Sequence, residues 1–198
     1  MPKQSPSQTI GPFFSYCLTP EAYGREGIAS NQLALPAAQG QRIIVEGIIT
    51  DGEGAPASDA LVELWQANAA GRYNHPADDR GDVALDPAFN GFGRGETDEH
   101  GLFHFETIKP GRVPGHGNTL QAPHIGVIVF ARGMSNHVFT RLYFADEAAA
   151  NAEDPLLSSI EAKRRKTLVA DAGEQAGIPI YRFNIRLQGG AETVFFDA

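Results

Sequence analysis

A chain of 198 residues is one domain, or one domain with an arm, and a domain of this size buries about 70 % of the surface its unfolded form exposes. Its 24 acidic and 16 basic residues leave a formal net charge of −8, the wrong sign for a phosphate backbone, so nucleic-acid binding is disfavoured. One cysteine, Cys17, excludes an intrachain disulfide, and no apolar run reaches the ~18 residues of a membrane-spanning helix.

The N-terminus, MPKQSPSQTIGPFF, lacks the apolar core of a signal peptide, so the cytoplasm is the expected location. A lone cysteine among aromatic neighbours reads as a packing residue rather than a nucleophile. The 22 glycines and 13 prolines punctuate short apolar runs, which favours a fold of many turns and short strands.

Residues 1–40 carry five prolines and little periodicity, so neither a regular helix nor a central strand is expected there. Ile10, Phe13, Phe14 and Tyr16 are too apolar a cluster for a solvated tail. The segment reads as an arm laid on a surface. About 30 extended residues reach roughly 100 Å, far enough to touch a neighbouring subunit. Residues 41–198 are expected to form the domain proper.

Residues 42–50, RIIVEGIIT, are β-branched and bounded by Gly40 and Asp51-Gly52, which predicts a strand. Residues 60–66, ALVELWQ, alternate Leu61, Glu63 and Trp65 with Val62, Leu64 and Gln66, a half-buried strand. Residues 74–95 read as a long polar loop anchored by Phe89 and Phe92. Residues 97–108 read as a hairpin, with TDEHG as its turn and LFHFETI as its second strand. Alternation puts His104 on the solvent side, and His75 and His100 fall in loops.

Residues 124–132 and 138–144 predict two further strands. Residues 146–154 are Ala-rich and acidic, a short helix, and 155–170 are helical or mixed. The basic run Lys163 to Lys166 reads as a solvated helix end. Residues 178–188, IPIYRFNIRLQ, alternate cleanly and predict one amphipathic strand, and 192–196 predict a last one. Strands at irregular spacing without a βαβ rhythm indicate an all-β fold, a β-sandwich with short helical segments near 146–170.

No serine elbow, phosphate loop or paired-cysteine zinc site is present. The glycines of residues 91–95 are followed by no helix pattern. Chemistry must therefore come from His, Tyr and Arg. The segments Leu64-Trp65-Gln66-Ala67, Gly71-Arg72-Tyr73, Thr107-Ile108-Lys109-Pro110-Gly111, Pro123-His124-Ile125, Arg141-Leu142-Tyr143-Phe144 and Tyr181-Arg182-Phe183 resemble, in the same order, those of intradiol ring-cleaving dioxygenases. The resemblance runs from about residue 41 to 196. It implies a β-sandwich and cleavage of a catechol ring between its hydroxyls with O₂. It also implies Fe(III), a hard cation suited to tyrosinate and histidine donors.

In that family the donors are two tyrosines and a His-x-His pair, and residues i and i+2 of a strand share a face. Here Tyr73 matches the first tyrosine and His124 the first histidine. Val113 and Gly126 stand where the other two belong, and His116, in a Gly-rich loop, makes a poor substitute. The residues imply that no metal is held by this chain. The resemblance extends, at residues 6–12, 130–133 and 192–197, to the iron-free alpha chains of family members built from two homologous chains. It implies that Fe(III) sits in a partner beta chain within a higher-order assembly. It further implies that Thr9, Gly11, Pro12 and Phe13 of the arm, with Arg132, line that partner's substrate pocket, and that no residue of this chain is catalytic. Two other readings stay open: a self-sufficient dioxygenase with altered iron ligands, and a non-enzymatic β-sandwich binding module.

Overall fold

A computed structural model describes residues 16–197. Strand β1 (Arg42–Thr50) forms as its β-branched run predicts, and it centres the first sheet. It pairs antiparallel with β4 (Leu102–Ile108) and parallel with β10 (Ile178–Arg182) and β11 (Ile185–Arg186). The second sheet runs β3 (Phe92–Glu96), β2 (Leu61–Trp65), β7 (His124–Phe130) and β8 (Val138–Phe144), all antiparallel. Strand β9 (Val169–Gln175) belongs to both sheets: residues 169 and 170 pair with β8, and residues 171 to 175 pair with β10, while β5 (Val113–Pro114) and β6 (Leu120–Gln121) form a separate antiparallel pair.

The core lies between the sheets. Ile43, Val45 and Ile49 of β1 meet Phe103 and Phe105 of β4 on one side, and Val62, Leu64, Ile125, Val127 and Leu142 on the other. Gln66 forms a polar joint inside it. Its Nε2 donates to the Ile108 carbonyl at 2.9 Å, and its Oε1 accepts from Thr107 Oγ1 at 2.8 Å. A buried amide so satisfied ties the end of β2 to the end of β4 without the desolvation cost of a lone polar group. The expected β-sandwich is the observed fold.

Several elements depart from expectation. The stretch 74–95 is not loop throughout, because β3 begins at Phe92. Its glycines hid it: a Cβ at Gly93 would lie 2.3 Å from the Leu33 side chain, so the strand is glycine-rich to let the preceding segment pack on it. The predicted hairpin over 97–108 is not one. Its turn forms, with Asp98 Oδ1 accepting from the His100 and Leu102 amides, but β3 pairs with β2 and β4 with β1, so the turn crosses between sheets.

Strand β9 lies at a sheet edge with Asp171 to Gln175 exposed, so it carries no apolar alternation to read. The predicted strand over 178–188 breaks at residues 183 and 184, where Asn184 Oδ1 accepts the Ile48 amide at 3.0 Å in place of a backbone carbonyl. Residues 192–196 form no strand, only a bridge between Phe139 and Phe196. Cys17 is exposed rather than packed.

The short helices α1 (Ala148–Glu153) and α2 (Pro155–Ser159) pack Ala150 and Leu157 on the outer face of β8 at Tyr143, and α3 (Ala162–Arg165) follows them. Of the basic run, Arg165 donates to the Ile160 and Ser158 carbonyls and Arg164 to Glu192, so part of it holds the chain together. No helix among the described residues is long and apolar enough to cross a membrane.

Candidate functional site

Strands β2, β7 and β8 present alternate residues outward, away from the core. Trp65, His124 and Gly126, Arg141 and Tyr143 share that outer face, with the register His124 opposite Tyr143 and Gly126 opposite both Arg141 and Trp65. The loop after β2 brings Tyr73 over them. Gly71, at φ 79°, makes this possible: a Cβ there would sit 2.0 Å from the Arg112 carbonyl oxygen, so only glycine lets the loop close on the turn after β4. Asp78 fixes the loop further. It accepts the Tyr73 amide at 2.8 Å and pairs with Arg80 through two contacts, Nε to Oδ1 at 2.7 Å and Nη2 to Oδ2 at 2.6 Å. The Arg80 hydrogen bond holds the Asp78 carboxyl well below the usual carboxylate range.

A cavity of about 560 Å³ opens here, lined by Trp65, Tyr73, His75, Arg80, Val113 and Pro114 among others. The Tyr73 ring stacks on Trp65 at 5.7 Å between centroids, and His75 meets the edge of the same indole. His75 is exposed, as its loop position predicts, and also lines this cavity. His104 and His116 take no part in it.

His124 is buried. Its Nδ1–H donates to the Ala122 carbonyl at 2.8 Å, which leaves the Nε2 lone pair facing the Tyr73 hydroxyl at 3.5 Å. Burial, seconded by the Arg141 charge, pushes the imidazole down to about 4, so it is neutral at ordinary pH. Burial raises the Tyr73 phenol, with Arg141 opposing, so Tyr73 keeps its proton. Arg141 Nη1 is itself held by Gln121 Oε1 at 2.6 Å. Beneath, Asp154 accepts from the Ala122 and Leu157 amides at 2.8 Å each and from Tyr143 Oη at 3.2 Å. This buried carboxylate pins α2 to the strand that carries His124.

The donor set does not fit Fe(III). Tyr73 and His124 are in contact, but Val113 is a buried apolar side chain. A Cβ at Gly126 would meet the Phe139 ring at 3.3 Å and the Trp65 carbonyl at 3.4 Å, so a second imidazole has no room unless Phe139 moves. The Arg141 guanidinium adds a positive charge beside the two donors. Among the described residues, no group of three or more His, Cys, Asp or Glu side chains converges on one point.

The other predicted residues lie elsewhere. Thr9, Gly11, Pro12 and Phe13 fall outside the described residues. Arg132, just past the end of β7, is exposed and forms an ion pair with Asp59. Arg141, Gln121, Phe139 and the Asp78–Arg80 pair escaped the sequence reading. Arg141 was within reach of it, since it shares a strand face with Tyr143 by alternation. The others depend on how loops and neighbouring strands meet.

The profile of the Dioxygenase family matches residues 11–189. The chain is 48 % identical over 200 residues to the protocatechuate 3,4-dioxygenase alpha chain of Burkholderia cepacia, covering 98 % of both chains. It is 38 % identical over 160 residues to the protocatechuate 3,4-dioxygenase beta chain of the same organism, covering 78 % of this chain and 67 % of that one. Among solved structures, the intradiol ring-cleavage dioxygenase of Tetranychus urticae superposes with a TM-score of 0.60 at 21 % identity, over 93 % of this chain and 94 % of that one.

Proposed function

The chain belongs to the intradiol ring-cleaving dioxygenase family, and from that membership we propose that it is the iron-free alpha chain of a protocatechuate 3,4-dioxygenase. Its partner is a homologous beta chain that holds non-haem Fe(III), and the two form a higher-order assembly in the cytoplasm. The complex cleaves protocatechuate between its two hydroxyl-bearing carbons. O₂ supplies both oxygen atoms, which end in the two new carboxylates of 3-carboxy-cis,cis-muconate.

The observation that carries this reading is the altered donor set. Tyr73 and His124 face each other across a weak hydrogen bond, while Val113 and Gly126 offer nothing to a metal. A chain so built contributes shape and charge rather than the reacting centre. The arm residues Thr9, Gly11, Pro12 and Phe13 would close the partner's pocket. Gly11 allows backbone to approach a ligand, and Pro12 fixes the chain direction. Arg132 would meet the substrate's carboxylate, where a charge-assisted hydrogen bond contributes about 1.5–3 kcal/mol.

The test is to purify this chain alone and together with the beta chain. Iron and ring cleavage are expected only when the partner is present. A tyrosinate-to-Fe(III) absorption band with stoichiometric iron in the isolated chain would overturn the reading.

A further inference from the structure

The ladder between β2 and β7 ends with Leu61 opposite Phe130. Two residues further along each chain, the same register sets Asp59 opposite Arg132. Opposed residues at this spacing interact through their side chains. Asp59 Oδ2 lies 2.6 Å from Arg132 Nε. The contact is at Nε, one end of the guanidinium fork. The Arg132 side chain remains 68 % exposed, so it is open to a further partner. Below the pair the backbone is fixed. Ala131 is buried, and its carbonyl accepts the Met134 amide at 3.2 Å across a turn whose Gly133 has φ 83°.

We infer that Asp59 is a positioning residue for Arg132, holding the guanidinium by Nε so that the Nη edge is presented to the carboxylate of an aromatic acid bound at the partner chain. This rests on the alpha-chain reading above and extends it to a residue with no part in that reading. The chemistry is that of a planar fork with two edges. An ion pair at Nε draws the guanidinium towards Asp59, and the free edge can then bind a second carboxylate through two parallel N–H···O contacts. Without Asp59, a long, exposed arginine samples many rotamers, and binding must bear the cost of ordering it. The negative charge of Asp59 also works against an anionic substrate, so the effect of its removal separates positioning from simple repulsion.

The experiment uses the assembled two-chain enzyme and compares KM for protocatechuate with KM for catechol, which lacks the carboxylate. Asp59→Ala and Asp59→Asn are each expected to raise the protocatechuate-to-catechol KM ratio by roughly threefold to tenfold, with kcat moving less than KM. Arg132→Ala is expected to raise that ratio further, and the double variant to be no worse than Arg132→Ala alone, because Asp59 acts through Arg132. Two variants at position 59, each checked for iron content and thermal midpoint, guard against a folding defect. If Arg132→Ala raises the ratio and neither Asp59 variant does, the positioning role is wrong and the alpha-chain reading stands. A ratio that falls in the Asp59 variants means that Asp59 only repels substrate, which also overturns the inference. An unchanged ratio in Arg132→Ala removes both the inference and the role given to Arg132.

Discussion

The two faces of the β7–β8 pair share one backbone and have opposite fates. On the inner face Ile125, Val127, Val129, Leu142 and Phe144 are buried in the main core. On the outer face stand His124, Gly126 and Ile128, with Phe139, Arg141 and Tyr143 opposite. Alternation along a strand decouples the two. The inner residues hold the two sheets together, and the outer ones pack against the short helices and the Tyr73 loop instead. Of the two positions that offer no donor, Gly126 stands on the outer face and Val113 on the short strand Val113–Pro114. On these strands the residues that hold the fold and the residues that face the Tyr73 loop lie on different sides, so the one set can vary without changing the pattern of the other.

The two faces separate most clearly when a polar side chain is placed on each in turn. Val127→Asp places a carboxylate in the inner core with no partner, and a loss of about 4 kcal/mol or more is expected, enough to abolish folding and assembly. Ile128→Asn, one residue away and half-buried on the outer face, is expected to cost about 1 kcal/mol. Soluble yield and urea midpoints of the assembled protein measure both. Equal losses would mean that the outer face is as much core as the inner one.

The same alternation explains what the sequence disclosed. Strand β2 announces itself through it, and β1 and β7 through β-branched and apolar runs. Strand β9 does not, since its exposed small and acidic residues owe their place to backbone pairing at an edge. Strand β3 was hidden by glycines that serve Leu33, 60 residues earlier in the chain, a contact no local pattern encodes. At the site, the loss of donors at Val113 and Gly126 was legible from spacing within a resemblance. Arg141 could have been placed by its alternation with Tyr143, but the Phe139 ring over Gly126 and the Asp59–Arg132 pair could not, because each is a meeting of separate segments. The buried Asp154 that pins α2 was equally silent, since its partners Ala122, Tyr143 and Leu157 come from three different elements.

A second contrast concerns protons. His124 on the outer face is buried as a neutral imidazole, with its pKa depressed to about 4 from an unfolded value near 6.5. The unfolded chain then binds the proton more readily, so stability is intact above pH 6.5 and falls as pH drops from 6.5 towards 4. The ceiling is roughly 3 kcal/mol. Asp78, with its depressed carboxyl, adds a separate loss that sets in as pH falls through the ordinary carboxylate value. Urea midpoints of the assembled protein between pH 4 and 7 should show the slope, and His124→Gln should flatten it in that window. An unaltered slope in the variant would assign the acid sensitivity to other groups.

The smallest expected effect tests the outer face most directly. Tyr73 reaches His124 across 3.5 Å, a distance at which a hydrogen bond contributes little. Its ring, stacked on Trp65, is retained in phenylalanine. Tyr73→Phe should therefore cost less than about 1 kcal/mol. It should also leave the iron content, the visible absorption band and the turnover of the assembled enzyme unchanged. If Tyr73 were a tyrosinate ligand, the same single-atom deletion would remove a metal donor together with its charge-transfer band. A change in that band on Tyr73→Phe would place metal on this chain despite Val113, Gly126 and Arg141. An unchanged band, beside a full loss on replacing the corresponding tyrosine of the beta chain, would assign the chemistry to one chain and leave this one the shaping of the pocket.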